Sequence, residues 1–192
     1  MKIKCFNVIE LPTREWSDGC GASQEVFCWP VASDYSLRAS ISTINQNSFL
    51  KQYSSGERLA ILLDNQELCI TDNYSFKHQL KQLGEAIRLP AYQYVSVEIE
   101  QTPVHLLNFI FNEERWIVKE HILSNSKKLP INQAGIVYVL SGEWRVTGAS
   151  CNVMTVGQGG WWLPDIGEGE LTPQTSESQL IWIEILPNST LS

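Results

Sequence analysis

Two arginines occupy strand-like segments of this 192-residue chain, where a charge is costly. Arg58 shares one face of an apolar strand with Ala60 and Leu62, and Arg38 shares the polar face of another strand with Ser40. An unpaired buried charge costs on the order of 3–5 kcal/mol, so it must be paired or reach a water-filled cavity. Because a guanidinium binds a carboxylate through two hydrogen bonds, the arginines predict either structural salt bridges or a pocket for an acidic ligand.

A glycine-containing loop between Trp16 and Glu25 is the second candidate for chemistry. Gly19 and Gly21 let the backbone turn tightly and leave amide groups exposed. Trp16 could supply a stacking face, and Asp18 and Glu25 could supply hydrogen-bond partners. No phosphate-loop lysine follows, so the loop is interpreted either as a structural turn or as a ligand contact.

The histidines form neither a metal-binding pattern nor a hydrolase motif. His78, His105 and His121 are scattered, none is two residues from another, and Gly-x-Ser-x-Gly is absent. We therefore expect no metal and no cofactor. An enzyme stays open as an alternative, in which a metal-independent isomerase or epimerase would use His105 or Glu184 as its base and a Tyr or Lys as its acid.

Composition and charge describe an ordinary globular protein and exclude some classes of partner. The net charge of −7 disfavours binding to nucleic-acid phosphates, and no apolar run approaches the roughly 20 residues of a membrane span. The five cysteines are odd in number, widely spaced and without a C-x-x-C pair. We expect reduced, mostly buried thiols in a cytoplasmic protein, which starts without a signal-peptide core.

The elements that must position these residues are strands, and one strand-turn unit occurs twice. The first copy runs from 59–65 to 83–90 and the second from 136–142 to 156–164, an offset of roughly 75 residues. The layout resembles a cupin barrel present twice, without the His-x-His pair that metal-dependent cupins carry. We expect an all-β double cupin, two fused jelly-roll-like β-barrels with little helix.

The boundary between the copies is predicted near the polar, proline-closed connection that follows residue 112. This gives an N-terminal barrel over residues 1–112 and a C-terminal barrel over residues 113–192. The two are expected to pack as one compact body, with an exchange of strands between the halves left open.

The glycine loop and the strands after it resemble the HutD/Ves family, and the resemblance runs thinly through most of the chain. The family's W-x-N-G-x-G-x-T-R-E-I pattern, its R-A-S-I strand, its [DE]-R turn, its D-F-N strand and its closing strand with an internal Glu are echoed in order. The residues that carry these matches are Trp16, Gly19, Gly21, Glu25, Arg38–Ile41, Glu57, Arg58, Asn108 and Glu184. Asp18, Gln24 and Leu106 stand where the family has Asn, Arg and Asp, which places the chain nearer to the Ves branch.

The resemblance implies a metal-free bicupin. HutD proteins are associated with histidine-utilisation operons, where a regulatory role through binding of a pathway acid, such as a formylated glutamate or urocanate, has been proposed. The Ves branch is linked loosely to stress and cold responses and has no established activity.

These observations together favour a non-catalytic, regulatory or stress-related protein that binds a small carboxylate in a metal-free cupin pocket. Arg38 and Arg58 would anchor the acid, Trp16 would cover its apolar part, and Glu57 and Glu184 would orient the arginines. The full predicted lining is Trp16, Asp18, Gly19, Glu25, Arg38, Ser40, Glu57, Arg58, Asn108 and Glu184. The expected partner is a small acidic metabolite, with neither nucleic acid nor membrane, and the protein is expected to be a monomer or homodimer. Besides the enzyme, a protein-interaction module with exposed Trp161 or Trp162 is the remaining alternative.

Overall fold

A computed structural model describes residues 2–130, 132–164 and 168–189, and these residues are almost entirely β-structure. One 3-10 helix, Val8–Glu10, is the exception among them. The strands are β1 (Lys4–Asn7), β2 (Thr13–Glu15), β3 (Gly21–Val31), β4 (Asp34–Ile44), β5 (Ser48–Phe49), β6 (Glu57–Leu62), β7 (Leu68–Thr71), β8 (Lys77–Leu80), β9 (Ala86–Pro90), β10 (Ser96–Ile99), β11 (Val104–Phe111), β12 (Trp116–Leu123), β13 (Lys127–Leu129), β14 (Ala134–Ser141), β15 (Glu143–Thr147), β16 (Val153–Thr155), β17 (Gln158–Trp162), β18 (Gly169–Pro173) and β19 (Gln179–Pro187).

The chain divides into two units. The first unit is residues 11–113, and the second unit is residues 2–10 together with the described residues from Glu114 onward. The N-terminal strand β1 belongs to the second unit because it pairs with β17, as in Lys4 with Trp161.

Two antiparallel sheets make up the first unit. Their strand orders are β2-β3-β4-β11-β6-β9 and β5-β10-β7-β8. The core takes side chains from both sheets, such as Ile44, Leu62 and Leu106 from the larger and Ile70 and Val97 from the smaller. Alternation along each strand therefore turns one face of the six-stranded sheet toward the four-stranded sheet.

The second unit repeats this arrangement with different side chains. Its sheets have the orders β1-β17-β14-β19-β12 and β13-β18-β15-β16. The series β9-β6-β11-β4 of the first unit returns as β17-β14-β19-β12, and β5-β10-β7-β8 returns as β13-β18-β15-β16. Three tryptophans, Trp144, Trp162 and Trp182, lie in its core. The all-β, cupin-like fold expected from the sequence is confirmed, although the described strands pair into two sheets per unit rather than one closed barrel.

The cysteines depart from the expectation of five reduced, mostly buried thiols. Cys5 on β1 and Cys151 form a disulfide within the second unit, across a separation of 146 residues. The thiols of Cys20, Cys28 and Cys69 are free and only half-buried. No local spacing signals such a bridge, because only the pairing of β1 with the second unit brings the two residues together. Among the residues that the structure describes, no helix has the length and hydrophobicity that a membrane crossing needs.

Candidate ligand-binding site

A cavity of about 840 Å³ opens inside the first unit. Its floor is the face of the six-stranded sheet that also supplies the core. Along β4, the even-numbered residues on this face change from apolar to polar. Ile44 packs in the core, whereas Ser42, Ser40 and Arg38 line the cavity. On β6, Arg58 lines the cavity while Leu62 is in the core. The sheet thus continues from a dry core into a polar chamber.

Arg58 is the most buried charge of this chamber, with only 3% of its surface exposed. Its Nη1 donates a hydrogen bond to Asn108 Oδ1 at 3.2 Å, and its Nη2 donates to the Lys51 carbonyl oxygen. The guanidinium lies 5.6 Å from the centre of the Tyr53 ring. Burial lowers the pKa of Arg58 to about 10. No carboxylate among the described residues lies within ion-pair distance of it, so its charge is solvated only by neutral dipoles and a ring face.

A row of hydrogen bonds across the sheet fixes the orientation of that guanidinium. Asn108 Nδ2 donates to Ser42 Oγ at 2.8 Å, and Ser42 Oγ lies 3.4 Å from Ser23 Oγ. The indole N–H of Trp16 donates to Ser23 Oγ at 2.8 Å. Since Asn108 and Ser42 are buried, each of these polar groups needs its partner, and the row holds the floor of the cavity in one arrangement.

Arg38 differs from Arg58 because a carboxylate neutralises it. Its Nη2 lies 2.8 Å from Glu25 Oε2, and its guanidinium is 5.4 Å from the centre of the Tyr35 ring. A β-bulge between Glu25 and Phe27 breaks the register of β3 beside β4 and sets the direction of Glu25. The Arg38 Nε is buried and has no hydrogen-bond partner in the described part of the chain. One donor of Arg38 therefore stays unused.

Two important lining residues, Lys51 and Tyr53, were missed by the sequence reasoning. Lys51 Nζ lies 5.2 Å from the centre of the Tyr53 ring, which also faces the guanidinium groups of Arg38 and Arg58. Residues 50–56 form no strand, so periodicity gives them no signal. The one available signal was the family-like turn that ends in Arg58, because its match begins at Tyr53, two residues after Lys51.

The glycine loop lies at the edge of the cavity, and its own hydrogen bonds determine its form. Asp18 Oδ1 accepts the Cys20 N–H at 2.9 Å, and Asp18 Oδ2 accepts the Ser48 hydroxyl. These hydrogen bonds, the one from Ser48 first, lower the pKa of Asp18. Gly19 has a φ of 71° and donates its N–H to the Trp16 carbonyl oxygen at 3.0 Å. Asp18 thus lines the cavity while one of its oxygens closes the loop on Cys20 and the other fastens the loop to Ser48 of β5.

The structure gathers seven of the ten predicted site residues around this one cavity: Trp16, Asp18, Glu25, Arg38, Ser40, Arg58 and Asn108. Gly19, Glu57 and Glu184 do not line it. Burial and the nearby Glu113 raise the pKa of Glu57, and Glu184 belongs to the second unit, where its Oε2 lies 3.3 Å from His121 Nε2. The groups that contact the arginines are instead Glu25 for Arg38, and Asn108 and the Lys51 carbonyl for Arg58.

The residues named for the two alternative functions also lie elsewhere. His105 Nδ1 is 3.0 Å from Asp64 Oδ2, outside the cavity lining. Of the two tryptophans named for an interaction module, Trp162 is 1% exposed and lies in the core of the second unit, so the expectation of exposure is wrong for it. Trp161 is half-buried, with Lys4 Nζ 4.8 Å from the centre of its ring. In the described ranges, no three His, Cys, Asp or Glu side chains are grouped so that they could hold a metal ion.

Comparison with known proteins supports the resemblance seen in the sequence. The HutD family model matches residues 9–177. Protein Ves of Cronobacter sakazakii is 27% identical over 181 residues, which cover 94% of this chain and 97% of that protein. Protein Ves of Escherichia fergusonii is 28% identical over 182 residues, which cover 94% and 92%.

Solved structures show the same fold. HutD from Pseudomonas fluorescens superposes with a TM-score of 0.82 at 15% identity, covering 97% of this chain and 100% of that one. YlbA of E. coli superposes with a TM-score of 0.76 at 12% identity, covering 95% of this chain and 90% of that one. Because the family model spans well over half of the sequence, this chain belongs to the HutD family.

Proposed function

We propose that this protein binds a carboxylate in the cavity of the first unit and that Arg58 is its main anchor. The observation that carries the proposal is the isolated charge of Arg58, which is 3% exposed and has no described carboxylate partner. An unpaired buried charge is costly, so its presence on a cavity wall is best explained by a ligand that supplies the missing negative charge. A carboxylate fits the planar fork of a guanidinium through two hydrogen bonds.

The other cations around Tyr53 support an acidic ligand. The side chains of Lys51 and Arg58 both lie against the Tyr53 ring, and Arg38 keeps a buried Nε donor that has no partner among the residues the structure describes. Glu25 neutralises only one of these three charges. The whole lining carries four cations (Arg14, Arg38, Lys51 and Arg58) and three carboxylates (Glu15, Asp18 and Glu25), so a net positive charge favours an anion over a neutral molecule of the same size.

Binding without turnover is the form of the proposal that the side chains support. The two bases considered for catalysis, His105 and Glu184, do not line the cavity. Three carboxylates line it. Those of Glu25 and Asp18 are held by Arg38 and by Ser48 and Cys20, and the third belongs to Glu15, an exposed residue of β2. We infer that the protein senses an acid, and this inference agrees with the regulatory role expected from the family resemblance.

The test compares Arg58→Met with Arg145→Met, a matched removal of an exposed arginine on β15 of the second unit. Isothermal titration and thermal shift would use a panel of acids that includes acetate, butanoate, glutamate and 4-phenylbutanoate. We expect Arg58→Met to weaken binding at least about 10-fold, as a charge-assisted hydrogen bond of about 1.5–3 kcal/mol implies. Arg145→Met should bind like the wild type.

Arg58→Met also has an expected effect on the protein without ligand. Replacing an uncompensated buried charge by an apolar side chain of similar length should raise the unfolding free energy by about 1–2 kcal/mol. Loss of binding together with a higher Tm would identify a residue kept for its ligand. A lower Tm together with unchanged binding would show that Arg58 is structural and would overturn the proposal.

A further inference from the structure

The cavity of the first unit is larger than a simple acid needs. Its volume of about 840 Å³ lies toward the upper end of the roughly 300–1,000 Å³ found for pockets that bury drug-sized ligands. A short aliphatic acid bound at Arg58 would leave most of the lining in contact with water. The chemistry of that remaining lining therefore indicates what the rest of the ligand is.

The charges of the lining leave room for one acidic group only. Its cations exceed its carboxylates by one, and Glu25 already neutralises Arg38. A second carboxylate on the ligand would give the occupied cavity a net negative charge, and like charges brought together oppose binding. The part of the ligand beyond its carboxylate should therefore be uncharged.

A row of polar residues crosses three strands beside Arg58. Ser40 of β4 is paired with Glu25 of β3 on one side and with Asn108 of β11 on the other, and all three line the cavity. Asn108 also accepts the hydrogen bond from Arg58. Directly opposite residues of antiparallel strands have Cβ atoms about 4.5–5.5 Å apart, so the row leads in short steps from the anchor to Glu25.

This row is open, whereas the neighbouring row is closed. Ser42 lies two residues from Ser40 on the same face of β4, and its hydroxyl accepts the Asn108 amide at 2.8 Å. The half-buried Ser40 hydroxyl, by contrast, has no hydrogen-bond partner in the described part of the chain. Glu25 keeps 43% of its side chain exposed, and a carboxylate offers about four lone-pair sites, so it can accept hydrogen bonds besides its ion pair. Ser40 and Glu25 thus have hydrogen-bonding capacity that a ligand can use.

An apolar chain on the ligand would not suit this wall of the cavity. Hydrocarbon covering Ser40 and Glu25 would remove their water and give no hydrogen bond in return. Hydroxyl groups on the ligand replace that water, because each can donate to the Glu25 carboxylate or exchange a hydrogen bond with Ser40. A site that hydrogen-bonds a ligand hydroxyl discriminates strongly against the analogue that lacks it.

We propose that the ligand is a monocarboxylic acid with several hydroxyl groups, of the class of the sugar acids. Its carboxylate binds Arg58, and its hydroxyl groups hydrogen-bond Ser40 and Glu25. This inference rests on the proposed function and goes beyond it, because it names the chemistry of the rest of the ligand. It also departs from the acids that the family resemblance implies, since neither a formylated glutamate nor urocanate carries an alcohol group.

The experiment compares hexanoate with three sugar acids, D-gluconate, D-galactonate and D-mannonate. All four have one carboxylate on a chain of the same length, and the sugar acids differ from one another only in the configuration of their hydroxyl groups. In isothermal titration on the full chain, we expect the tightest sugar acid to bind at least about 30-fold more tightly than hexanoate, as one neutral and one charge-assisted hydrogen bond imply. A ratio near one, or tighter binding of hexanoate, would overturn the inference while carboxylate binding stands.

Variants then locate the hydroxyl groups. Ser40→Ala should reduce the ratio of sugar-acid to hexanoate affinity at least about 5-fold, through loss of one hydrogen bond, and should leave hexanoate binding as in the wild type. Ser96→Ala makes the same change at a half-buried serine of β10 outside the cavity lining and should leave the ratio unchanged. If Ser40→Ala keeps the wild-type ratio, the inference is wrong.

A neutral polyol separates this inference from the proposed function. D-Glucitol has the chain and hydroxyl groups of D-gluconate without the carboxylate, so it should bind at least about 10-fold more weakly, since Arg58 then lacks its partner. Equal binding of D-glucitol and D-gluconate would contradict the carboxylate anchor on which both proposals rest. If neither hexanoate nor any sugar acid binds, both this inference and the proposed function fail.

Discussion

The two units share a strand order and differ in what fills them. In the first unit, Arg58 of β6 pairs with Leu89 of β9 and lines a cavity. At the corresponding place in the second unit, Gly135 of β14 pairs with Trp162 of β17, whose indole fills the core. The same pairing scheme therefore supports a chamber in one copy and solid packing in the other.

The correspondence continues on the next strand. Asn108 pairs with Ala60 in the first unit, and Trp182 pairs with Val137 in the second. Asn108 holds Arg58 by a hydrogen bond, whereas the Trp182 ring stacks on His121 at 4.8 Å. The polar residue that holds Arg58 in the first unit thus corresponds to a ring that closes the space in the second.

Gly135 and Trp162 depend on each other. A Cβ built on Gly135 would lie 2.2 Å from an atom of the Trp162 ring, so only glycine leaves room for the indole. The indole N–H groups of Trp144, Trp162 and Trp182 are buried without hydrogen-bond partners among the described residues. Each such donor costs about 1–3 kcal/mol, but burying an indole of 150–250 Å² contributes about 4–6 kcal/mol. In the second unit, the free energy gained by burying the indoles therefore exceeds the cost of their buried N–H groups. The comparison indicates that few substitutions decide whether a unit holds a packed core or a cavity.

The largest difference in stability that we expect between the two units comes from the disulfide of the second unit. Cys5 and Cys151 both belong to the second unit, so Cys151→Ser should lower its unfolding free energy by about 3–5 kcal/mol through loss of a long closed loop. Denaturant titration with and without reductant measures this effect. Acid binding by the first unit should persist in the folded variant. Equal stability of the oxidised and reduced protein would contradict the assignment.

Gly135→Ala tests whether the filled unit tolerates any side chain at the position of Arg58. The added methyl group overlaps the Trp162 ring, so we expect a loss of about 2–3 kcal/mol in thermal or denaturant unfolding. Gly135→Ala combined with Trp162→Leu should be less destabilised than the sum of the two single variants, because the smaller side chain removes the overlap. Strict additivity would show that the two positions are independent.

Ser42→Ala examines the hydrogen-bonded floor of the first unit. It leaves the buried Asn108 amide without its acceptor at 2.8 Å, at an expected cost of about 1–2 kcal/mol. Ser40→Ala is the control on the same face of β4, where we expect a change within about 0.5 kcal/mol. A cost at Ser40 that equals the cost at Ser42 would count against an ordered row.

The pH dependence of binding gives the smallest effect. Burial lowers the pKa of Arg58 in the folded protein to about 10, below that of a free guanidinium, so between these two values the unfolded state binds more protons and the ligand-free protein gains stability as pH rises. A bound carboxylate needs the protonated guanidinium. Affinity for the acid that binds most tightly should therefore be level from pH 7 to 9 and decrease above about pH 10, as measured by titration calorimetry. A decrease already complete by pH 9 would assign the titration to another group.

Local patterns predicted much of the first unit correctly. The alternation of β4 placed Arg38, Ser40 and Ser42 on one face, and the structure turns that face into the cavity floor. The repeated strand-turn unit predicted the duplicated fold, and the ordered motifs predicted the family. These features depend on a period of two or on residues close in sequence, which a single chain displays directly.

The other lining residues, the position of Glu184 and the disulfide depend on the tertiary structure. Lys51 and Tyr53 reach the cavity from an irregular segment, Glu184 falls in the other unit, and Cys5 meets Cys151 across 146 residues. The sequence by itself determined the strands, their faces and the presence of two copies. Which copy is hollow depends on how Arg58 or Gly135 meets the residue across the sheet, because the volume inside a β-sandwich is set by pairs of side chains that register and packing bring together.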